Sequence, residues 1–189
     1  MKINYIGIIA CIIAFISLVL PWWTMKASVE AMEMAVSAEL SVYLYQAQAS
    51  AIGMSITVTM DLWFGWAALA LIVIAGAAGI VGSVIVGKTG KIILIVTGIL
   101  ALLSIIIFAV GLQGELSKAS PVPDFPKVDL FSSGSFTLMD EISMNYSSYL
   151  TFGFWLALVA AIIAFISSLK HPMAPPAAPP AAPTTPEPL

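Results

Sequence analysis

Four long stretches of this chain are apolar and free of Asp, Glu, Lys, Arg and His: residues 3–20, 62–86, 92–112 and 149–169. A helix needs about 20 such residues to cross the hydrocarbon core of a bilayer, so each stretch predicts a membrane-spanning helix. The first ends at Pro21, which cannot continue a helix. Lys2 followed by an apolar run also fits the start of a signal peptide. The run is long, however, and Pro21-Trp22-Trp23 follows it in place of a small-x-small cleavage site. It is therefore expected to be retained as a span.

Between the spans the period changes to two. From Met54 to Asp61 the pattern alternates strictly, with Met54, Ile56, Val58 and Met60 on one face and Ser55, Thr57, Thr59 and Asp61 on the other. That pattern predicts a half-buried strand. Leu40, Val42 and Leu44 alternate with Ser41, Tyr43 and Tyr45 and predict a second strand. Residues 25–36 fit either a strand or a short helix. In the next loop, 128–131 and 135–138 flank Ser132-Ser133-Gly134, which reads as a hairpin turn. Pro121, Pro123 and Pro126 make the approach to it irregular.

The expected fold is membrane all-α: a four-helix transmembrane bundle with a small extracellular β-rich cap formed by loops 21–61 and 113–148. Residues 87–91 form the short turn between spans two and three, which makes those helices antiparallel neighbours. Residues 1–171 make up the membrane domain. Residues 172–189 are rich in Pro and Ala and hold eight of the twelve prolines. Such a segment cannot build a core and is expected to be extended and disordered. Pro176-x-x-Pro179 and Pro180-x-x-Pro183 have the spacing of a ligand for an aromatic groove; a plain spacer is the simpler reading.

Composition agrees with the pattern. The chain is 60% hydrophobic and 9% charged, against about 25% charged in a soluble domain. A net charge of −3 and the absence of arginine argue against nucleic acid as a partner. Cys11 is the one cysteine, so no internal disulfide staples the loops.

Lysine placement orients the spans. Lys2, Lys88, Lys91 and Lys170 flank them on one side in short segments, while Lys26, Lys118 and Lys127 are diluted in the two long loops. Both termini and the 87–91 turn are thus expected to be cytoplasmic in a multi-pass plasma-membrane protein. Trp22, Trp23, Trp63, Trp66, Tyr146, Tyr149 and Trp155 are expected to form an aromatic belt at the outer interface.

Small residues let membrane helices approach closely. Span two carries Ala75, Gly79, Ser83 and Gly87 four apart; span four carries Gly153, Ala157 and Ala161, with Ala160, Ala164 and Ser168 beside them. These are the expected helix-packing residues, facing either the bundle interior or another subunit.

Candidate chemistry is sparse. Gly82-Ser-Val-Ile-Val-Gly87-Lys88-Thr89 matches the Walker A pattern, but its first six residues complete an apolar helix. No nucleotide is expected there, since a phosphate loop needs a preceding strand and free backbone N–H groups. Seven of the nine methionines lie in the outer loops, including Met32-x-Met34. Thioethers bind Cu(I) but more often fill irregular cores, so no metal or cofactor is expected. The outer acids, among them Glu30, Glu33, Glu39, Asp124, Asp129, Asp140 and Glu141, read as a solvated surface. Asn145-Tyr146-Ser147 is an N-glycosylation sequon on the outer side, making Asn145 a glycosylation candidate.

Four spans, a long β-forming first loop, a shorter second loop and cytoplasmic ends resemble the claudin/PMP22-like tetraspan group. Trp22-Trp23 after span one and Leu62-Trp63 are similar to parts of that family's tryptophan-rich first loop, although this loop carries no cysteine pair. The resemblance implies a membrane-anchored sheet used in adhesion, barrier formation or partner assembly. It points to a non-catalytic protein whose partners are lipid and other membrane proteins or copies of itself, including a role as accessory subunit. The alternative is a small-solute or ion transporter or channel acting as an oligomer, although no span holds the ionisable groups that coupled transport uses. An enzyme is not expected, because no acid, base, nucleophile or metal constellation is present.

Overall fold

The computed structural model describes residues 3–31, 34–58, 62–118, 127–138 and 142–172. Four helices form the bundle: α1 (Tyr5–Leu18), α2 (Trp63–Val84), α3 (Lys88–Lys118) and α4 (Phe152–Leu169). Each packs on two neighbours in the cyclic order α1, α2, α3, α4. Three of them, α2, α3 and α4, are long and apolar enough to cross a membrane. α1 has only 14 helical residues. The longer segment from Asn4 to Trp22 meets Ser83 and His171 at one end and Phe108 and Phe154 at the other.

α3 departs most from its hydropathy run. At 31 residues it is about 46 Å long, well over the about 30 Å of hydrocarbon. It starts at Lys88, inside the expected 87–91 turn, so the bend is confined to Ile85–Gly87. Gly87 has φ +96°, which a Cβ would strain. At the polar far end Ser117 Oγ donates to the Gln113 carbonyl and Lys118 pairs with Glu115 at 2.7 Å. α4 begins at Phe152; Tyr149 and Leu150, expected in the span, end a strand.

Both loops contribute to one six-stranded antiparallel sheet: β1 (Trp23–Ala31), β2 (Met34–Val42), β3 (Ala47–Ala51), β4 (Met54–Val58), β5 (Ser132–Leu138) and β6 (Ile142–Leu150), in the order β4-β3-β2-β1-β6-β5. The first loop is a meander whose last turn, Ile52-Gly53, has φ +51° and +74°, the paired positive angles of a two-residue hairpin. The central pairing, β1 with β6, joins the two loops from Trp23↔Leu150 outward to Glu30↔Ser143.

Of the two readings open for residues 25–36 the strand holds, the described ones falling in β1 and β2. Two sequence expectations change. The strand expected at 40–45 stops at Val42; Tyr43 and Gln46 close a turn by backbone hydrogen bond, which sets Leu44 on the start of α2. Ser132-Ser133-Gly134 is not a turn but opens β5, and β5 pairs with β6 along its whole length. Pairing with an available strand outweighs the local turn preference of a Ser-Ser-Gly run.

An aromatic plug closes the bundle beneath the sheet. Trp22 and Trp23 are both fully buried, so neither belongs to the expected interfacial belt. Trp22 packs edge-on against Phe108 (5.0 Å) and Phe154 (5.9 Å), and Phe108 against Phe64 (5.8 Å). Its Nε1–H donates to the Ser17 carbonyl, and that of Trp23 to the Leu130 carbonyl. Trp63, Trp66, Tyr149 and Trp155 do face outward.

Candidate interaction surface

The sheet has two unlike faces, set by its register. Across all six strands one row reads Ser55, Ser50, Glu39, Lys26, Ser147, Ser133, and the row below it Thr57, Gln48, Ser41, Thr24, Tyr149. The rows between point to the other side: Met54, Ala51, Ala38, Ala27, Tyr146, Gly134, and Ile56, Ala49, Leu40, Met25, Ser148, Ser132. Period-two alternation in every strand thus adds up to one polar and one largely apolar surface.

The polar face holds the sheet's one ion pair among the described residues, Lys26 Nζ to Glu39 Oε2 at 3.6 Å. The Tyr149 hydroxyl, and after it the Glu39 charge, hold the Lys26 ammonium above its ordinary pKa. Ser41 Oγ donates to Glu39 and meets Thr24 Oγ1 at 3.1 Å. Asn145 is exposed on this face. A concavity of about 800 Å³ lies over it, with Lys26, Ser28, Ser37, Glu39 and Asn145 among its lining residues.

The apolar face holds a groove of about 300 Å³. The small side chains Ala27, Ala38, Ala49 and Ala51 make its floor; Met25, Leu40, Met54 and Ile56 make its walls. Toward the bundle this face is covered: Trp23, Val42 and Ala47 are fully buried, and Met25, Leu40 and Val58 pack against the same core as Leu116 and Leu130. Away from the bundle it is bare, with Met54 and Ile56 70% and 65% exposed. Bare apolar surface next to a polar face makes this a candidate contact site.

The small residues singled out in the sequence lie in the bundle interior. Ala75, Gly79 and Ser83 of α2 and Gly153, Ala157 and Ala161 of α4 are buried. A Cβ on Gly79 would stand 2.5 Å from Cys11 Sγ and 3.0 Å from Thr97 Cγ2. One on Gly153 would overlap the Trp22 ring. Gly87 lies past the end of α2, where its N–H donates to the Pro172 carbonyl.

At the end opposite the sheet, sequence reasoning missed a buried polar clasp. His171 Nε2–H donates to the Ile85 carbonyl (2.7 Å), which leaves Nδ1 to accept from Asn4 Nδ2 (3.1 Å). Asn4 Nδ2 also donates to the Ser167 carbonyl, and Asn4 Oδ1 caps α1 at Gly7. The signal was present: Asn4 is the one strongly polar residue within the first apolar run, and His171, the one histidine, lies just past the last. The clasp occupies the region of the Walker-like run. Gly82 and Ser83 sit within α2, Lys88 and Thr89 open α3, and Ile85 and Gly87 are bonded to His171 and Pro172.

Among the described residues no three His, Cys, Asp or Glu side chains come together as metal ligands. Met32, Met60 and Met139, the acids at 33, 124, 140 and 141, and the tail from residue 173 lie outside the described residues. No protein-family model matches this chain, and no curated protein matches it in sequence.

Proposed function

We propose that this is a non-catalytic four-span membrane protein whose sheet is a docking surface for another membrane protein, in adhesion or as an accessory subunit. One observation carries the reading: the sheet's apolar face is left bare beyond the bundle, with an alanine-floored groove at its centre. Enzymatic chemistry has no support of comparable weight. The one His is tied into the clasp, and the one Cys is buried against Gly79. The claudin/PMP22-like comparison gains support from the layout alone, a sheet anchored on a four-helix bundle. Cytoplasmic termini in a plasma membrane are part of the proposal. They rest on Lys88, Lys91 and Lys170 lying at the end opposite the sheet.

A transporter draws less support. The bundle hydroxyls of Ser17, Ser83, Thr97 and Ser168 donate to carbonyls of their own helices and Ser104 donates to the Ala68 carbonyl of α2, so among the described residues Ser167 alone keeps a buried hydroxyl without a partner.

Ala38→Glu tests the proposal. Ala38 is exposed on the groove floor, so the change leaves the core alone and puts a charge into the contact. Extracted from its own membrane in mild detergent, the wild type is expected to run as a defined complex larger than its 19.9 kDa chain. The variant is expected to run as the single chain with an unchanged melting temperature. A wild type that runs alone, or a variant that keeps its complex, overturns the reading.

A further inference from the structure

We propose that Asn145 carries an N-linked glycan, which covers the polar face of the sheet and leaves the apolar face for partners. The chain has only two asparagines. Asn4 is consumed by the clasp. Asn145 is exposed and opens the sequon Asn145-Tyr146-Ser147.

The strand geometry presents this sequon. Asn145 and Ser147 are two apart on β6, so both lie on the polar face, while Tyr146 turns to the other. The side chains beside Asn145 on the neighbouring strands are Ser28 and Ser135, both small and uncharged. The Asn145 carboxamide makes no hydrogen bond to any described residue. The concavity of about 800 Å³ in front of it has a mixed lining, with serines and the Lys26–Glu39 pair beside apolar groups such as Val36, Ile52 and Met54. Such hydroxyl and charged groups hydrogen-bond readily to sugar. Asn145 also stands five residues outward from Leu150 along β6, about 17 Å from that residue.

The donor class is an oligosaccharide linked to a polyprenyl phosphate or pyrophosphate. In the transfer, Asn145 Nδ2 forms the new bond to the anomeric carbon. The bond from that carbon to the phosphate oxygen breaks, the lipid phosphate leaves with its electron pair, and the carboxamide gives up one proton. Ser147 is the hydroxyl residue that a transferase reads at the second position. The inference rests on the sheet lying outside the cell, as proposed above, because such donors are used on that side.

The test is the intact mass of the full chain from its own membrane, before and after peptide-N-glycosidase. A mass above 19.9 kDa that collapses on treatment is expected. Asn145→Gln and Ser147→Ala are each expected to remove the added mass, and Ser147→Thr to keep it. An unmodified wild type, or added mass that persists in Asn145→Gln, overturns the proposal. Labelling of Ser37→Cys by a membrane-impermeant maleimide, in an Asn145→Gln background where no glycan can shield the polar face, separates the two failures. If Ser37→Cys is labelled on intact cells and no glycan is found, the glycan proposal falls and the orientation stands. If it is not labelled, both fall.

Discussion

Trp22→Ala is expected to lower the unfolding free energy by about 3–5 kcal/mol, the cost of emptying a large aromatic site in a packed core. The indole is fully buried and touches Phe108 of α3 and Phe154 of α4 edge-on. Its loss also leaves the Ser17 carbonyl without a donor, an added penalty for a buried polar group. The site cannot collapse easily, because the Trp22 backbone is pinned on both sides: its N–H donates to Val42, and its carbonyl accepts from Thr151. Thermal unfolding in detergent checks this. Trp22→Phe, which keeps much of the ring contact, is expected to recover most of the loss. A Trp22→Ala protein that melts like the wild type contradicts the plug.

Gly79→Leu is expected to cost about 3 kcal/mol or more, at the upper end for overpacking a membrane bundle core. Even a Cβ at this position would press on Cys11 Sγ of α1 and Thr97 of α3. Relief requires α2 to move away from two helices at once. Gly114→Ala is the matched control. It is also a helical glycine, but nothing lies within 4 Å of a Cβ there. Alanine is the better helix former by up to about 1 kcal/mol, so that variant is expected to be as stable as the wild type or slightly more so. Equal behaviour of the two variants in a melting assay would mean that α2 does not pack as described.

The elements most legible from sequence were those governed by one local period. Unbroken hydropathy marks α2, and strict alternation marks β4 from Met54. Residues whose place depends on a distant partner were harder to read. Trp22 and Trp23 look like interfacial anchors until the chain turns at Pro21 and buries one ring in the bundle and the other under the sheet. Ser132-Ser133-Gly134 looks like a turn until β6 pairs with it. β6 itself is masked because Tyr149-Leu150 continues the apolar run of α4. The two faces of the sheet were visible strand by strand, but their union into one polar and one apolar surface depends on register, which no single strand carries. The Asn4–His171 clasp joins residues at opposite ends of the chain, so no window along the sequence contains it.

The bundle is expected to cross the membrane and to hold the sheet outside, away from the lysine-flanked end. In a Cys11→Ala, Asn145→Gln background, which leaves the polar face free of any glycan, single cysteines at Ser37 on the sheet and at Thr89 at the start of α3, both exposed, are treated on intact cells with a membrane-impermeant maleimide. Ser37→Cys is expected to be labelled at once and Thr89→Cys only after the membrane is permeabilised. Labelling of both on intact cells, or of Thr89→Cys alone, would contradict this orientation.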